Sequence, residues 1–161
     1  MSQRIKVEPL TAQTLAPYGD VMDASGAADK MINQGRCARF HNRARLDFSD
    51  GAAGISIFKS DKATLPLQLE LVERHPQGSQ AFIPMSDDPF LVVVARDNNG
   101  TPQNPRAFLT QSGQAINFHR GTWHGVLTPL VDAALFAVVD RIGDGANLEE
   151  YWFPTPYIIE N

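Results

Sequence analysis

Four histidines, His41, His75, His119 and His124, occur in the chain, and three of them fall in two short segments dense in polar side chains. The first segment, Glu73-Arg74-His75-Pro76-Gln77-Gly78-Ser79-Gln80, holds Glu73 and His75 two residues apart. On a strand that spacing puts both on one face. The second segment runs from Gly113 to His124. It predicts a strand ending near His119, a tight turn through Gly121 and a new strand opening on His124, which the hairpin aims into the mouth of a barrel. Imidazole and carboxylate groups of this kind hold divalent first-row metals, and a neutral imidazole is poised to move protons near pH 7. Arginine outnumbers lysine heavily among the 14 basic residues. The guanidinium fork suits bidentate capture of a carboxylate, so a small anionic substrate fits the composition. Nucleic acid does not: the net charge is −4 and the basic residues are scattered rather than gathered on one face. Cys37 is the only cysteine. It excludes an intramolecular disulfide, agrees with a cytoplasmic setting, and reads as an inert small apolar side chain rather than a nucleophile.

These residues need a scaffold, and the punctuation of the chain predicts an all-β one. Gly, Pro, Asn and Asp clusters separate short apolar runs. Strands are expected at Ile5–Glu8, Ala38–His41, Gly54–Lys59, Leu67–His75, Gln80–Pro84, Phe90–Arg96, Arg106–Thr110, Ala115–Phe118, Gly125–Thr128 and Ala133–Asp140. Leu67–Leu71 alternates apolar with polar, whereas Phe90–Ala95 is apolar throughout and predicts a strand covered on both faces. Helical signals are few. Thr11 caps a short segment that Pro17 interrupts, and Asn147 with Glu150 three residues later predicts a capped turn of helix leading into Tyr151 and Trp152. No linker divides the chain, so residues 1–161 are expected to form one domain, a sandwich or barrel with a few short helices. No apolar run approaches the ~20 residues of a membrane helix, and the charged start of the chain argues against export.

The second segment resembles the second conserved motif of the cupin superfamily, with Gly113, His119, Gly121 and His124 at matching spacings and His119 where a proline is usual. The first segment resembles the first cupin motif more loosely, placing Glu73, His75 and Gln80 at its three ligand positions. The resemblance implies a cupin-type, jelly-roll-like β-barrel. It also implies a metal set of His75, His124, Glu73 and Gln80, in which the neutral Gln80 replaces a carboxylate.

At family level the likeness sharpens. Leu65-Pro66-Leu67, Glu73-Arg74-His75-Pro76, Gly78-Ser79-Gln80-Ala81-Phe82-Ile83-Pro84-Met85 and Phe118-His119-Arg120-Gly121-Thr122-Trp123-His124 resemble the ureidoglycolate lyase family. Tyr18-Gly19-Asp20-Val21, Arg39-Phe40-His41 and Asp140-Arg141 support the match, which spans nearly the whole chain in order. It implies cleavage of ureidoglycolate to glyoxylate and urea within allantoin breakdown, a homodimer, and a divalent metal ion, nickel foremost, with zinc or manganese as alternatives. That reaction needs a base for the hydroxyl proton, an acid for the departing urea nitrogen and a clamp for the carboxylate. His119 is the expected proton-transfer group, and Glu73 takes the role of base if no metal is bound. Arg39, Arg74, His41 and Gln80 are expected to bind substrate, while Arg120 and Arg141 are weaker candidates for the clamp. Taken alone, His41 also reads as a satisfied polar residue beside a strand, and Trp123 as core or pocket wall. Three other readings compete: hydrolysis of the ureido group with release of ammonia, a different cupin reaction, and a cupin that binds a small molecule without turning it over.

Overall fold

The computed structural model describes residues 2–161. In chain order the elements are β1 (Arg4–Pro9), α1 (Ala12–Leu15), β2 (Gly19–Met22), β3 (Lys30–Ile32), β4 (Cys37–Arg39), β5 (Ala52–Ser60), β6 (Leu67–Arg74) and β7 (Gln80–Pro84). There follow β8 (Phe90–Asn98), β9 (Thr101–Leu109), β10 (Ala115–Phe118), β11 (Trp123–His124), β12 (Thr128–Pro129), β13 (Ala134–Ile142) and β14 (Glu149–Glu160). Seven strands form one sheet in the order β11-β6-β14-β1-β9-β8-β12, and β11 also pairs with β8. That extra pairing rolls six of them into a closed barrel. A second sheet, β2-β10-β7-β13-β5, lies against the barrel wall, and β3 with β4 makes a separate hairpin. The all-β, cupin-type barrel expected from the sequence is the architecture observed. Among the described residues no helix is long and apolar enough to cross a membrane.

The unbroken apolar run of β8 has a direct cause. Phe90, Val92 and Val94 point out of the closed barrel into a core shared with Phe82, Phe118, Phe136 and Val138 of the second sheet. Leu91, Val93 and Ala95 point the other way, into the barrel interior with Leu69, Val72, Ala107, Trp123 and Ile159. A strand with two buried faces has no polar position to spare. Burial of each such Val, Leu or Phe contributes about 1.5–3 kcal/mol, so one truncation in β8 opens a cavity in one of the two cores.

Several expectations need correcting. The Asn147–Glu150 segment is not a helix: Glu149–Glu160 is the extended β14, paired with β6 and β1. The Asn147 side chain accepts from the Gln77 N–H, a partner 70 residues away, instead of capping its own segment. Tyr151 and Phe153 join the barrel-interior cluster from this strand, and its ladder shifts register between Trp152 and Tyr157, where Pro154 and Pro156 have no N–H to donate. Gly125–Thr128 is not a continuous strand either: β11 ends at His124, just before it, and β12 begins only at its last residue, Thr128. The strand β2 lacks a long apolar run and went unpredicted. Thr11 does cap a single helical turn, α1, through a reciprocal bond with Thr14. Cys37 is exposed rather than apolar filler, because the β3–β4 hairpin stands away from both cores.

Candidate metal centre

The two-residue strand β11 assembles the site. It lies between β6 and β8, setting His124 directly opposite Glu73 on one side and Val94 on the other. Facing residues on neighbouring strands bring their Cβ atoms within about 5 Å. Alternation along β6 then sorts its side chains. Val72 enters the barrel interior, so Glu73 turns outward to the space between barrel and second sheet. His75 follows just past the end of β6, where its carbonyl accepts the Gly121 N–H and so ties the two sequence motifs together. Gly121 takes φ +77° in this turn, a left-handed conformation that glycine adopts without strain. One ligand atom from each of Glu73, His75 and His124 lies within 4.8 Å of the other two.

Both imidazoles are oriented from behind. Nδ1 of His75 donates to the Asn147 carbonyl at 2.7 Å, and Nδ1 of His124 donates to the Gly125 carbonyl at 2.9 Å. Each ring therefore keeps its lone pair on Nε2, and both Nε2 atoms are buried without a hydrogen-bond partner. The Oε1 atom of Gln80 is buried and unpartnered as well. Buried polar atoms are normally satisfied, and two orphaned imidazole nitrogens clustered with the Glu73 carboxylate suit a Lewis acid. The ring of Phe118 stacks on His124 at 4.2 Å between centroids, nearly parallel at 8°, and leaves that imidazole little freedom. The residues present fit a divalent ion: two imidazole nitrogens, an amide oxygen and a carboxylate, with no thiolate.

Electrostatics agree with this arrangement. Burial pushes the His124 imidazole down to about 3, so it is neutral and ready to coordinate at any physiological pH. Burial also raises the Glu73 carboxyl above its ordinary value; nearby His75 opposes that shift and Glu150 adds to it. The closest Glu73–His75 approach, 3.9 Å, is too long for a hydrogen bond, so neither residue satisfies the other.

The other expected site residues lie elsewhere. Arg74 is on the opposite face of β6 from Glu73. Its Nε donates to Glu149 at 2.6 Å, its Nη1 donates to Asp97 at 3.0 Å, and its guanidinium covers the Trp123 ring at 4.4 Å. Arg39 and His41 belong to the exposed β3–β4 hairpin and its exit, where Arg39 Nη2 meets His41 Nδ1 at 2.9 Å. His119 meets Asp20 at 2.9 Å and lines an open pocket with Arg45, Asp47 and Arg120. Arg120 pairs with Asp47, and the buried Arg141 binds Asp50 and the Asp144 carbonyl. Of the ten residues named from the sequence, the structure gathers Glu73, His75 and His124, with the unpartnered Gln80 oxygen in the neighbouring sheet.

Three supporting residues were not assigned roles from the sequence. Asn147 carries the local pattern of a helix cap, yet its carbonyl orients His75. Phe118 stood inside the second motif unremarked. Asp20 lies in the Tyr18–Val21 segment quoted only as part of the resemblance. Burial would raise its carboxyl, yet the Arg45 N–H, His119 and Asn117 together hold it below the ordinary value. Gly19 allows that strand to approach: a Cβ there would collide with the Asn117 carbonyl.

Comparison with known proteins accords with the geometry. The family model described as ureidoglycolate lyase matches residues 2–160. A ureidoglycolate lyase of Rhodobacter capsulatus is 54% identical over 98% of this chain and 99% of its own length. One from a Chelativorans species is 48% identical over 98% and 96%, and ureidoglycolate lyase 2 of Rhizobium meliloti is 46% identical over 97% of each chain. The cupin barrel, the two tied motifs and this full-length likeness converge: the chain belongs to the ureidoglycolate lyase family.

Proposed function

We propose that this protein, acting as one domain, is a cytoplasmic lyase that cleaves ureidoglycolate to glyoxylate and urea in allantoin degradation. The observation that carries the reading is the convergence of Glu73, His75 and His124 with unpartnered imidazole Nε2 atoms, in a chain of this family. His75, His124, Glu73 and Gln80 would hold a divalent ion, Ni2+ in the first instance, with Zn2+ and Mn2+ as alternatives to be separated by reconstitution. Such an ion supplies Lewis-acid polarisation of a hydroxyl or carboxylate oxygen. Were the reaction to run without an ion, Glu73, whose carboxyl burial raises, would be the group to receive the hydroxyl proton of the substrate as the carbon–nitrogen bond breaks. His119, backed by Asp20, is assigned the proton for the departing urea nitrogen. Arg39 with His41 is the favoured carboxylate clamp, because the guanidinium of Arg74 is already engaged by Asp97 and Glu149.

A homodimer is part of the same reading. The outer face of the second sheet exposes Ile55, Ile57, Ile83, Met85 and Leu135, and Ala137 aligns Ile57 with Ile83 across three strands. A second copy covering that face would remove it from water.

The deciding experiment incubates the purified protein, before and after chelation, with racemic ureidoglycolate and measures urea, ammonia and glyoxylate. Urea and glyoxylate in equal amounts, with the rate lost on chelation and restored by Ni2+, is the expected result. Ammonia without urea would reassign the reaction to hydrolysis, and absence of any product would leave a binding protein.

A further inference from the structure

Gln80 is an odd member of a metal set. A side-chain amide is a weak neutral donor, and its two ends differ only in which atom points where: oxygen can coordinate, and NH2 cannot. Something must therefore choose the orientation. The strand register identifies the candidate. Phe82 stands opposite Val138 on β7 and β13, and Ala81 opposite Val139, so the next step along both strands brings Gln80 beside Asp140. Phe82 and Val138 both point into the core between the sheets, so Gln80, two residues before Phe82, and Asp140, two residues after Val138 on the antiparallel strand, share that face. On the other side Gln80 is in register with Phe118, the residue that stacks on His124. One cross-strand row, Phe118–Gln80–Asp140, thus runs along the sheet from the imidazole. Within it Gln80 Nε2 donates to Asp140 Oδ2 at 3.2 Å, while Gln80 Oε1 is buried and unpartnered.

We infer that Asp140 is a positioning residue for the metal centre: its carboxylate takes the amide NH2 of Gln80 and so leaves the Gln80 oxygen as the end free to coordinate. A carboxylate only accepts, so the opposite flip would face two oxygens toward each other and turn an NH2 toward the ion. The same contact accounts for an amide at this position. A glutamate there would stand against a second carboxylate with no proton between them, and the stronger donor would come with a repulsion that offsets it. The pair also places a negative charge one residue outside the ligand set without using it as a ligand. This inference rests on the reading that Glu73, His75, His124 and Gln80 surround a divalent ion.

The test uses metal-free full-length protein titrated with Ni2+ by calorimetry, and with Co2+ followed by its visible absorption. Wild type, Asp140→Ala, Gln80→Ala, the Asp140→Ala/Gln80→Ala double variant, Gln80→Glu and Gln80→Glu/Asp140→Asn are compared. Asp140→Ala is expected to weaken Ni2+ about 10–100-fold, the usual effect of losing an outer-shell partner, and to change the Co2+ spectrum. The double alanine variant should bind no more weakly than Gln80→Ala alone, because Asp140 acts only through Gln80. Gln80→Glu/Asp140→Asn reverses donor and acceptor within the pair and should bind more tightly than Gln80→Glu alone. A purely structural aspartate would lower the urea midpoint of the metal-free protein without producing this coupling. Wild-type binding with Asp140→Ala indistinguishable from it would overturn the inference alone, as would alanine effects that simply multiply. No ion bound by wild type would overturn the metal reading and this inference with it. If Asp140→Ala does not fold, the Gln80→Glu pair decides by itself: no gain from adding Asp140→Asn overturns the proposal.

Discussion

Acid stability of the metal-free protein tests how deeply His124 is buried. Its imidazole is 1% exposed, stacked on Phe118 and held near a pKa of about 3 by loss of water. In the unfolded chain a histidine titrates near 6.5. Between those values the unfolded chain carries a proton that the folded protein refuses, so stability must fall as pH drops through that window and be flat above it. At about 1.36 kcal/mol per pH unit, lowering pH from about 7 to about 5 removes roughly 2 kcal/mol through this one side chain. Glu73 acts in the opposite sense: its raised carboxyl favours the protonated folded form, a stabilisation that appears as pH falls toward its folded value and is lost as pH rises through it. Comparing wild type with His124→Gln cancels that contribution, since both proteins keep Glu73. Glutamine also retains an amide hydrogen for the Gly125 carbonyl. Urea unfolding with chelator present, followed by tryptophan fluorescence, should give a wild-type curve steeper by about 1.4 kcal/mol per pH unit below about pH 6.5. Parallel curves would refute the reasoning and mean that water or a neighbour reaches His124 in the folded state.

Three further outcomes are expected. Glu73→Gln keeps the size of the side chain but removes its charge and basicity, so turnover measured as urea release should fall by ~10²–10⁴. Arg141→Met deletes a buried guanidinium that ties the Asp50 and Asp144 loops to β13. It should cost about 1–3 kcal/mol in urea unfolding, since the exposed Asp50 carboxylate can return to water while the carbonyls lose their donor. Ile57→Lys, placed in the middle of the exposed apolar face, should convert dimer to monomer in sedimentation measurements while the protein stays folded; an unchanged dimer would move the interface elsewhere.

The sequence spoke most clearly where one physical cause acted alone. Phe90–Ala95 announces a doubly buried strand because every residue in it is apolar, and the Gly113–His124 segment announces a turn because Gly121 needs positive φ. Glu73 and His75 are paired by the period of a strand, and His124 is delivered opposite Glu73 by a strand of only two residues. What stayed illegible depends on partners distant along the chain. Asn147 has every local mark of a helix cap, but the Gln77 N–H claims its side chain and β6 pairs with the segment that follows. Arg74 sits between two site residues in sequence, yet alternation turns it to the other side of the strand, toward Trp123. Asp140 lies 60 residues from Gln80, and only the β7–β13 register brings them together.

The brevity of β11 links the site to the integrity of the whole fold. Two residues form the seam at which the barrel shuts, and one of those two is His124. An ion gripping His124, Glu73 and His75 would therefore act as a rivet across that seam, joining β6 and β11 by a bond the backbone ladder is too short to supply. Metal loading and barrel closure become one coupled equilibrium, so the exchange rate of the Trp123 and His124 amides should report how full the site is. The same economy would let Trp123, the other residue of β11, report that closure by its fluorescence.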